Sequence, residues 1–132
     1  VYEPSVARAF IDSLRARYDG LVAIEPRHPS WFDAEPVLQD ARIARVAADP
    51  APFPAAAEPG GWDGFTYHRL HGSPRIYYSS YGDDWLDGLT ERLAERSATQ
   101  PADKTSWCIF DNTASGAATA NALALQHRLK QF

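Results

Sequence analysis

The chain of 132 residues contains no methionine and a single cysteine, Cys108, so no disulfide can form within it. Cys108 lies in the apolar stretch Trp107-Cys-Ile-Phe110, where a thiol behaves as a small buried hydrophobe, not as a nucleophile. One unpaired cysteine fits a reducing, cytoplasmic setting. No apolar run approaches the roughly 20 residues that a membrane-spanning helix needs, and the first residues lack the charged-then-apolar order of a secretion leader. Nor do the 13 lysines and arginines collect into a basic stripe. Against 17 acidic residues they leave a formal net charge of -4, so nucleic acid is not an expected partner. With Val1 first and no methionine anywhere, the chain is expected to be a piece of something longer.

What is present is enough for one folded unit. At 45% hydrophobic and 23% charged, residues 1–132 read as a single domain with a real core. Pro4 suits a first helical turn, and Val6, Ala9, Phe10, Ser13 and Leu14 recur at helical spacing until Asp19-Gly20 stops them. Leu21 to Glu25 reads as a short buried strand. Asp33 can cap a second helix with Pro36 in its early turn, whose apolar side is Val37, Leu38, Ala41 and Ile43 or Ala44. Val46 to Asp49 is the next strand.

Pro50 to Gly61 turns to proline, alanine and glycine and reads as a long loop, either a surface crossover or a lid over the strand ends. The strand Phe65 to His71 follows, with Phe65, Tyr67, Arg69 and His71 on one face and Thr66, His68 and Leu70 on the other. After a tyrosine-rich loop, Asp83 and Asp84 open a third helix with Trp85, Leu86, Leu89 and Leu93 as its packing stripe. Thr105 to Phe110 is the last strand. Thr113 or Ser115 can cap the final helix, lined by Ala118, Ala122, Leu125 and Leu129. This alternation implies an α/β fold with a parallel sheet, either part of a closed barrel or an open doubly wound sheet.

Polar groups stand where the apolar strands stop. Val22-Ala-Ile-Glu-Pro-Arg-His-Pro-Ser-Trp31 ends in a carboxylate, a guanidinium, an imidazole and an indole, and Asp49, Arg69-Leu-His-Gly72 and Asp111-Asn-Thr113 end the other strands. The strings Glu25-Pro-Arg-His-Pro-Ser-Trp31, Asp49 with Pro50, Tyr67-His-Arg-Leu-His-Gly72, Tyr81 with Trp85 and Leu86, and Asp111-Asn-Thr113 with Gly116, Ala118, Asn121 and Ala122 resemble the domain-of-unknown-function family 72, or YecE-like proteins. The resemblance implies a TIM-barrel-like fold, here a four-stranded parallel half barrel made of strands five to eight of the family domain, with flanking helices. A half barrel leaves two sheet edges and an apolar inner face uncovered, so the missing N-terminal half or a second copy of the chain is an expected partner. Asp111 departs from the family pattern, which is more often Asn-like there.

In barrels of this type the active site lies at the C-terminal ends of the strands. Glu25, His28 and His71 are the candidate catalytic groups. Arg27, Trp31, Arg69, Asn112 and Tyr81 are candidates for holding a small, polar or anionic substrate such as a sugar phosphate. Glu25, Asp49, His71 and Asp111 have the chemistry to hold a divalent metal ion, although no tight ligand motif is present. The turn from Asp111 to Gly116 leads into a helix N-terminus, a place where barrels hold phosphate. Three readings stay open: a polar plug closing the barrel top, acid/base or anion-binding use without metal, and a metal site. They divide into an enzyme of acid/base or metal-assisted chemistry and a non-catalytic ligand-binding or assembly domain.

Overall fold

A computed structural model describes residues 1–101 and 104–131. The order of elements is α1 (Pro4–Arg15), β1 (Val22–Ile24), a 3-10 helix (Pro29–Ala34), α2 (Glu35–Asp40), β2 (Ile43–Arg45), β3 (Ala47–Asp49), a second 3-10 helix (Pro54–Ala57), β4 (Gly60–Gly61), β5 (Phe65–Leu70), α3 (Asp83–Thr99), β6 (Thr105–Phe110) and α4 (Ala117–Leu129). They form a mixed α/β fold with parallel sheets and flanking helices. One three-stranded sheet runs β1-β2-β4 and the other β3-β5-β6. β1 and β2 pair in parallel, as do β3 with β5 and β5 with β6, whereas the two-residue β4 lies antiparallel to β2.

A single residue, Val46, separates β2 from β3, and its N–H donates to Ile24 O at 2.9 Å. The stretch 43–49 therefore serves both sheets in turn. Each sheet has its own core. Ile11, Ala34, Leu38 and Ile43 pack between the first sheet and α1 and α2, while Leu70, Tyr81, Leu86, Leu89, Leu93 and Leu125 pack between the second sheet and α3 and α4.

Several local expectations are corrected. Ile43 and Ala44 belong to β2, not to the preceding helix, because Arg42 adopts a left-handed backbone (φ 55°) that ends the helical path. Asp33 lies inside the first 3-10 helix, so it caps nothing; His28 caps that helix instead, its Nδ1 accepting from Ser30 N–H at 3.2 Å. The buried face of α1 is Ala7 and Ile11, one residue on from the expected stripe, and Val6 and Phe10 face solvent. Arg15 fixes that rotation by donating to the carbonyls of Gly20, Ala41 and Arg42, each at 2.8 Å. On α4, Ala118, Asn121 and Leu125 are buried while Ala122 and Leu129 are exposed, and Gly116 (φ 78°) stands at its N-cap position in place of Thr113 or Ser115.

The 50–61 segment is pinned down. Arg45, buried in β2, bonds to the Glu35 carboxylate, donates to the carbonyls of Ala55 and Glu58, and places its guanidinium 4.2 Å from the centre of the Phe32 ring. With Gly61 N–H donating to Glu35 Oε2 at 2.5 Å, the segment is a surface crossover tied to the first sheet and not a swinging lid.

Asn121 holds the second half together. Its Oδ1 accepts from Tyr81 N–H at 3.0 Å and Asn112 Nδ2 at 2.9 Å, and its Nδ2 donates to Tyr81 O at 3.0 Å, all in a buried setting. Asn121→Ala should leave these groups without partners and lower unfolding stability by about 3 kcal/mol or more in a denaturant titration, given roughly 1–3 kcal/mol for each buried polar group left unpaired. A loss under about 1 kcal/mol, the usual size of one net hydrogen bond, would show that water replaces the bonds.

Candidate functional site at the strand ends

β5 is the middle strand of its sheet, and strand alternation sends Tyr67, Arg69 and His71 to the face where Glu25 and Asp111 arrive from β1 and β6. Parallel register brings them level: Leu70 stands beside both Asp49 and Phe110, and Asp111 N–H donates to Leu70 O at 3.0 Å. Arg69 bridges the two acids, with Nη1 on Glu25 Oε2 at 2.8 Å, Nη2 on Asp111 Oδ2 at 2.9 Å and Nε on the same oxygen at 3.0 Å. Arg27 closes on Glu25 Oε1 from the solvent side at 2.9 Å.

His71 lies beneath, with only 3% of its side chain exposed. Its Nε2 is 3.3 Å from Glu25 Oε1, and its Nδ1 is 3.0 Å from Asp111 Oδ1. The second contact is close but off the line of a hydrogen bond, so both of its atoms are buried without an aligned partner. Tyr77 covers the imidazole edge-on, with ring centres 5.7 Å apart.

Burial pushes the Glu25 carboxyl up, but the hydrogen bonds from Arg69 and His71 and the charges of Arg27 and Arg69 outweigh it and hold it below the ordinary 4.5. The Glu25 hydrogen bond raises Arg69 in turn. Glu25 is thus ionised at neutral pH, facing a cleft of about 470 Å³ lined by Ala23, Val46, Tyr67 and Ile109 with Arg69 and Asp111. The two guanidinium groups stabilise the ionised carboxylate, and Arg27, the more exposed of the two, stands on its solvent side.

Other candidates are placed elsewhere. Asp49 turns away: its Oδ1 accepts from the Tyr81 hydroxyl at 2.9 Å. Glu25 and Asp111 lie on opposite nitrogens of one imidazole, which diverge, so Glu25, Asp49, His71 and Asp111 do not converge on a common ion. Among the described residues no group of three or more His, Cys, Asp or Glu side chains is arranged to hold a metal. Tyr81 is buried, its hydroxyl accepting from Gly72 N–H at 2.8 Å while serving Asp49, and Asn112 is fully buried against Ser79 O and Asn121. Trp31 packs against Tyr2 with ring centres 5.2 Å apart, on the α1 side. His28 spends its Nδ1 on Ser30. The turn before α4 is committed too, because Ala114 N–H goes to Tyr77 O and Gly116 N–H to Thr113 O, each at 3.0 Å. Cys108 is an inert thiol, pushed up to about 11 by burial.

Residues 3–132 match the family described as Protein of unknown function DUF72. The chain belongs to the DUF72 family. A DUF72 family protein of Thermotoga maritima MSB8 is 24% identical and superposes with a TM-score of 0.71 over 98% of this chain and 52% of its own. A DUF72 family protein of Enterococcus faecalis V583 is 20% identical, with a TM-score of 0.74 over 98% of this chain and 56% of its own. At such identities the likeness speaks for the DUF72 fold alone, and this chain spans about half the length of those solved structures. No curated protein matches it. Among the described residues no helix is long and apolar enough to cross a membrane.

Two features of this DUF72 chain had no signal in the sequence. Tyr77 adopts a left-handed backbone (φ 70°), which a bulky residue rarely does, and is held there by its N–H on His71 O at 2.6 Å and by Ala114 N–H on its carbonyl. Gly72 (φ 92°) lets the rim turn back on itself, since a β-carbon there would meet Ser79 O at 2.6 Å.

The depressed Glu25 carboxyl fixes a sign for pH dependence. Its contribution to stability is full above the ordinary 4.5 and is lost as pH falls through its lower folded value. Glu25→Gln should cost about 1–2 kcal/mol at neutral pH, a charge-assisted hydrogen bond discounted for solvent access, with the gap to the unmodified chain closing below pH 4.5. Denaturant titrations at several pH values read this directly, and a gap that stays constant into acid would refute the ionic origin.

Proposed function

We propose that the strand-end cleft is the site of an enzyme that uses acid/base chemistry on a small polar or anionic compound, such as a phosphorylated sugar. The observation that carries the proposal is the Glu25 carboxylate at an open cleft, paired with Arg27 and Arg69 and with a buried imidazole behind it. Glu25 is the proposed base. His71, too buried to touch a substrate, acts as a positioning residue that orients Glu25 from beneath. Arg69 is committed to two carboxylates, which leaves exposed Arg27, with a single ion pair, to swing onto the anion. His28 stands outside this arrangement, and no step requires a metal ion.

A second reading rests on a different observation. Leu21 and Trp107 are about half exposed beside Ala23, Phe65, Tyr67 and Ile109 on the face below the cleft. We infer that the chain is the C-terminal half of a TIM-like barrel, strands five to eight, and that this face is covered by the other half of the domain or by a second copy. In that reading the polar cluster serves assembly and not catalysis.

Thermal-shift screening of phosphosugars and nucleotides, with and without Mg, Mn or Zn salts, tests the enzymatic reading. A phosphosugar should raise Tm, and Glu25→Gln and Arg27→Ala should each reduce the rise. Stabilisation that both substitutions leave at full size would put the binding outside the strand-end cleft and overturn the enzymatic reading. Sedimentation of the isolated chain at micromolar concentration should give an associated species, and a folded monomer there would contradict the uncovered half barrel.

A further inference from the structure

Strand alternation sends His68 to the opposite side of β5 from Arg69 and His71, toward α3. There the second sheet and α3 do not close fully on each other. A cavity of about 200 Å³ remains, with Ala48, Leu70 and Leu89 as apolar wall and His68, Arg92 and Arg96 as its basic side. That volume is several times the ~30 Å³ share of one water molecule. We propose that this cavity is an oxyanion site sized for phosphate or the head of a phosphate monoester, with Arg96 and His68 as its inner donors and Arg92 at its mouth.

Two buried atoms point to a ligand. His68 Nε2 and Arg96 Nε both lack any hydrogen-bond partner, and both belong to side chains that line this one cavity. A buried donor left unpaired costs roughly 1–3 kcal/mol, more when charged, so Arg96 Nε, and His68 Nε2 in the tautomer that carries its proton there, would each gain from an acceptor brought into the neighbouring space. The ion pairs among the described residues engage Arg27, Arg45, Arg69, Lys104 and Arg128 and leave Arg92 and Arg96 out. Two acids also face the space. Asp49 is already taken by the Tyr81 hydroxyl, Glu58 stands exposed at the edge, and the exposed Asp63, which feels the charge of Arg96 from outside the cavity, is paired with Lys104.

The imidazole reports on the same field. Burial, with the charges of Arg96 and Arg92, pushes His68 down to about 4, so it is neutral at physiological pH and has one ring N–H, which an acceptor in the cavity would draw to Nε2. A bound oxyanion would neutralise that field and stabilise the imidazolium. It would therefore raise the His68 midpoint.

The experiment is a titration of the full chain with inorganic phosphate, followed through the His68 ring resonances by NMR. Saturable shifts at millimolar phosphate and an upward move of the His68 midpoint from about 4 are expected. Arg96→Met should weaken binding about tenfold or more, equivalent to about 1.4 kcal/mol. Arg92→Met, at the exposed mouth, should also weaken it and serves where Arg96→Met fails to fold. Glu25→Gln should leave it unchanged, which separates this site from the strand-end cleft. Tighter binding of glycerol phosphate than of phosphate assigns the site to an ester, and the reverse order to the free ion. A His68 resonance that phosphate does not move would show that the cavity holds water only, and one that moves as far in the arginine variants as in the unmodified chain would show that the arginines hold no anion; either overturns the proposal.

Discussion

Parallel strands deliver their last side chains to the same edge, and in this chain two of those that meet on one face are carboxylates. Glu25 and Asp111 would repel one another across the end of β5 were it not for Arg69, which stands between them and donates to both. The planar fork of a guanidinium suits this, because its donors point in fixed, separate directions. One residue on the middle strand thereby ties the end of the first sheet to the end of the second. The cleft above, the burial of His71 below and the position of Arg27 outside all follow from that tie.

Much of this arrangement was legible because strands have a period of two. Once Phe65 to His71 is read as a strand, Arg69 and His71 must share a face, and polar residues that end apolar runs on parallel neighbours must meet them there. Glu25 and Asp111 obey that logic. Asp49 does not, because a tyrosine 32 residues further on reaches back to claim it, and local spacing carries no trace of such a contact. Trp31 is similar: its partner is Tyr2, near the other end of α1. Asn112 and Tyr81 read as rim residues by their position in the chain, yet Asn121 draws both inward from α4.

The alternation of helices and parallel strands is legible in the sequence, whereas the division into two three-stranded sheets and the joints between elements are not. Ile43 and Ala44 continue the spacing of the preceding helix, and an arginine at φ 55° is an ending that no propensity announces. On α1, two apolar stripes one residue apart compete, and the long reach of Arg15 to Gly20, Ala41 and Arg42 decides between them. The 50–61 segment reads as a loop by composition. That it is fastened depends on Arg45, a buried cation whose donors are met by Glu35 and two carbonyls.

The rim around His71 is held through its own backbone groups, which backbone and asparagine side chains grip together. Tyr77, Ser79 and Tyr81 are each gripped by partners on β5, on the turn after β6 or on α4, so the roof over the imidazole and the wall of the cleft are one body.

Val46 is a joint without slack. Because successive strand residues point to opposite sides, inserting or deleting one amino acid between Arg45 and Ala47 would reverse the facing of Ala47, Ala48 and Asp49 relative to β2. Asp49 would lose its hold on Tyr81, and the buried Arg45 could keep its anchors only by letting the rest of the strand turn over. A chain with this junction cannot change in length there without turning β3 over.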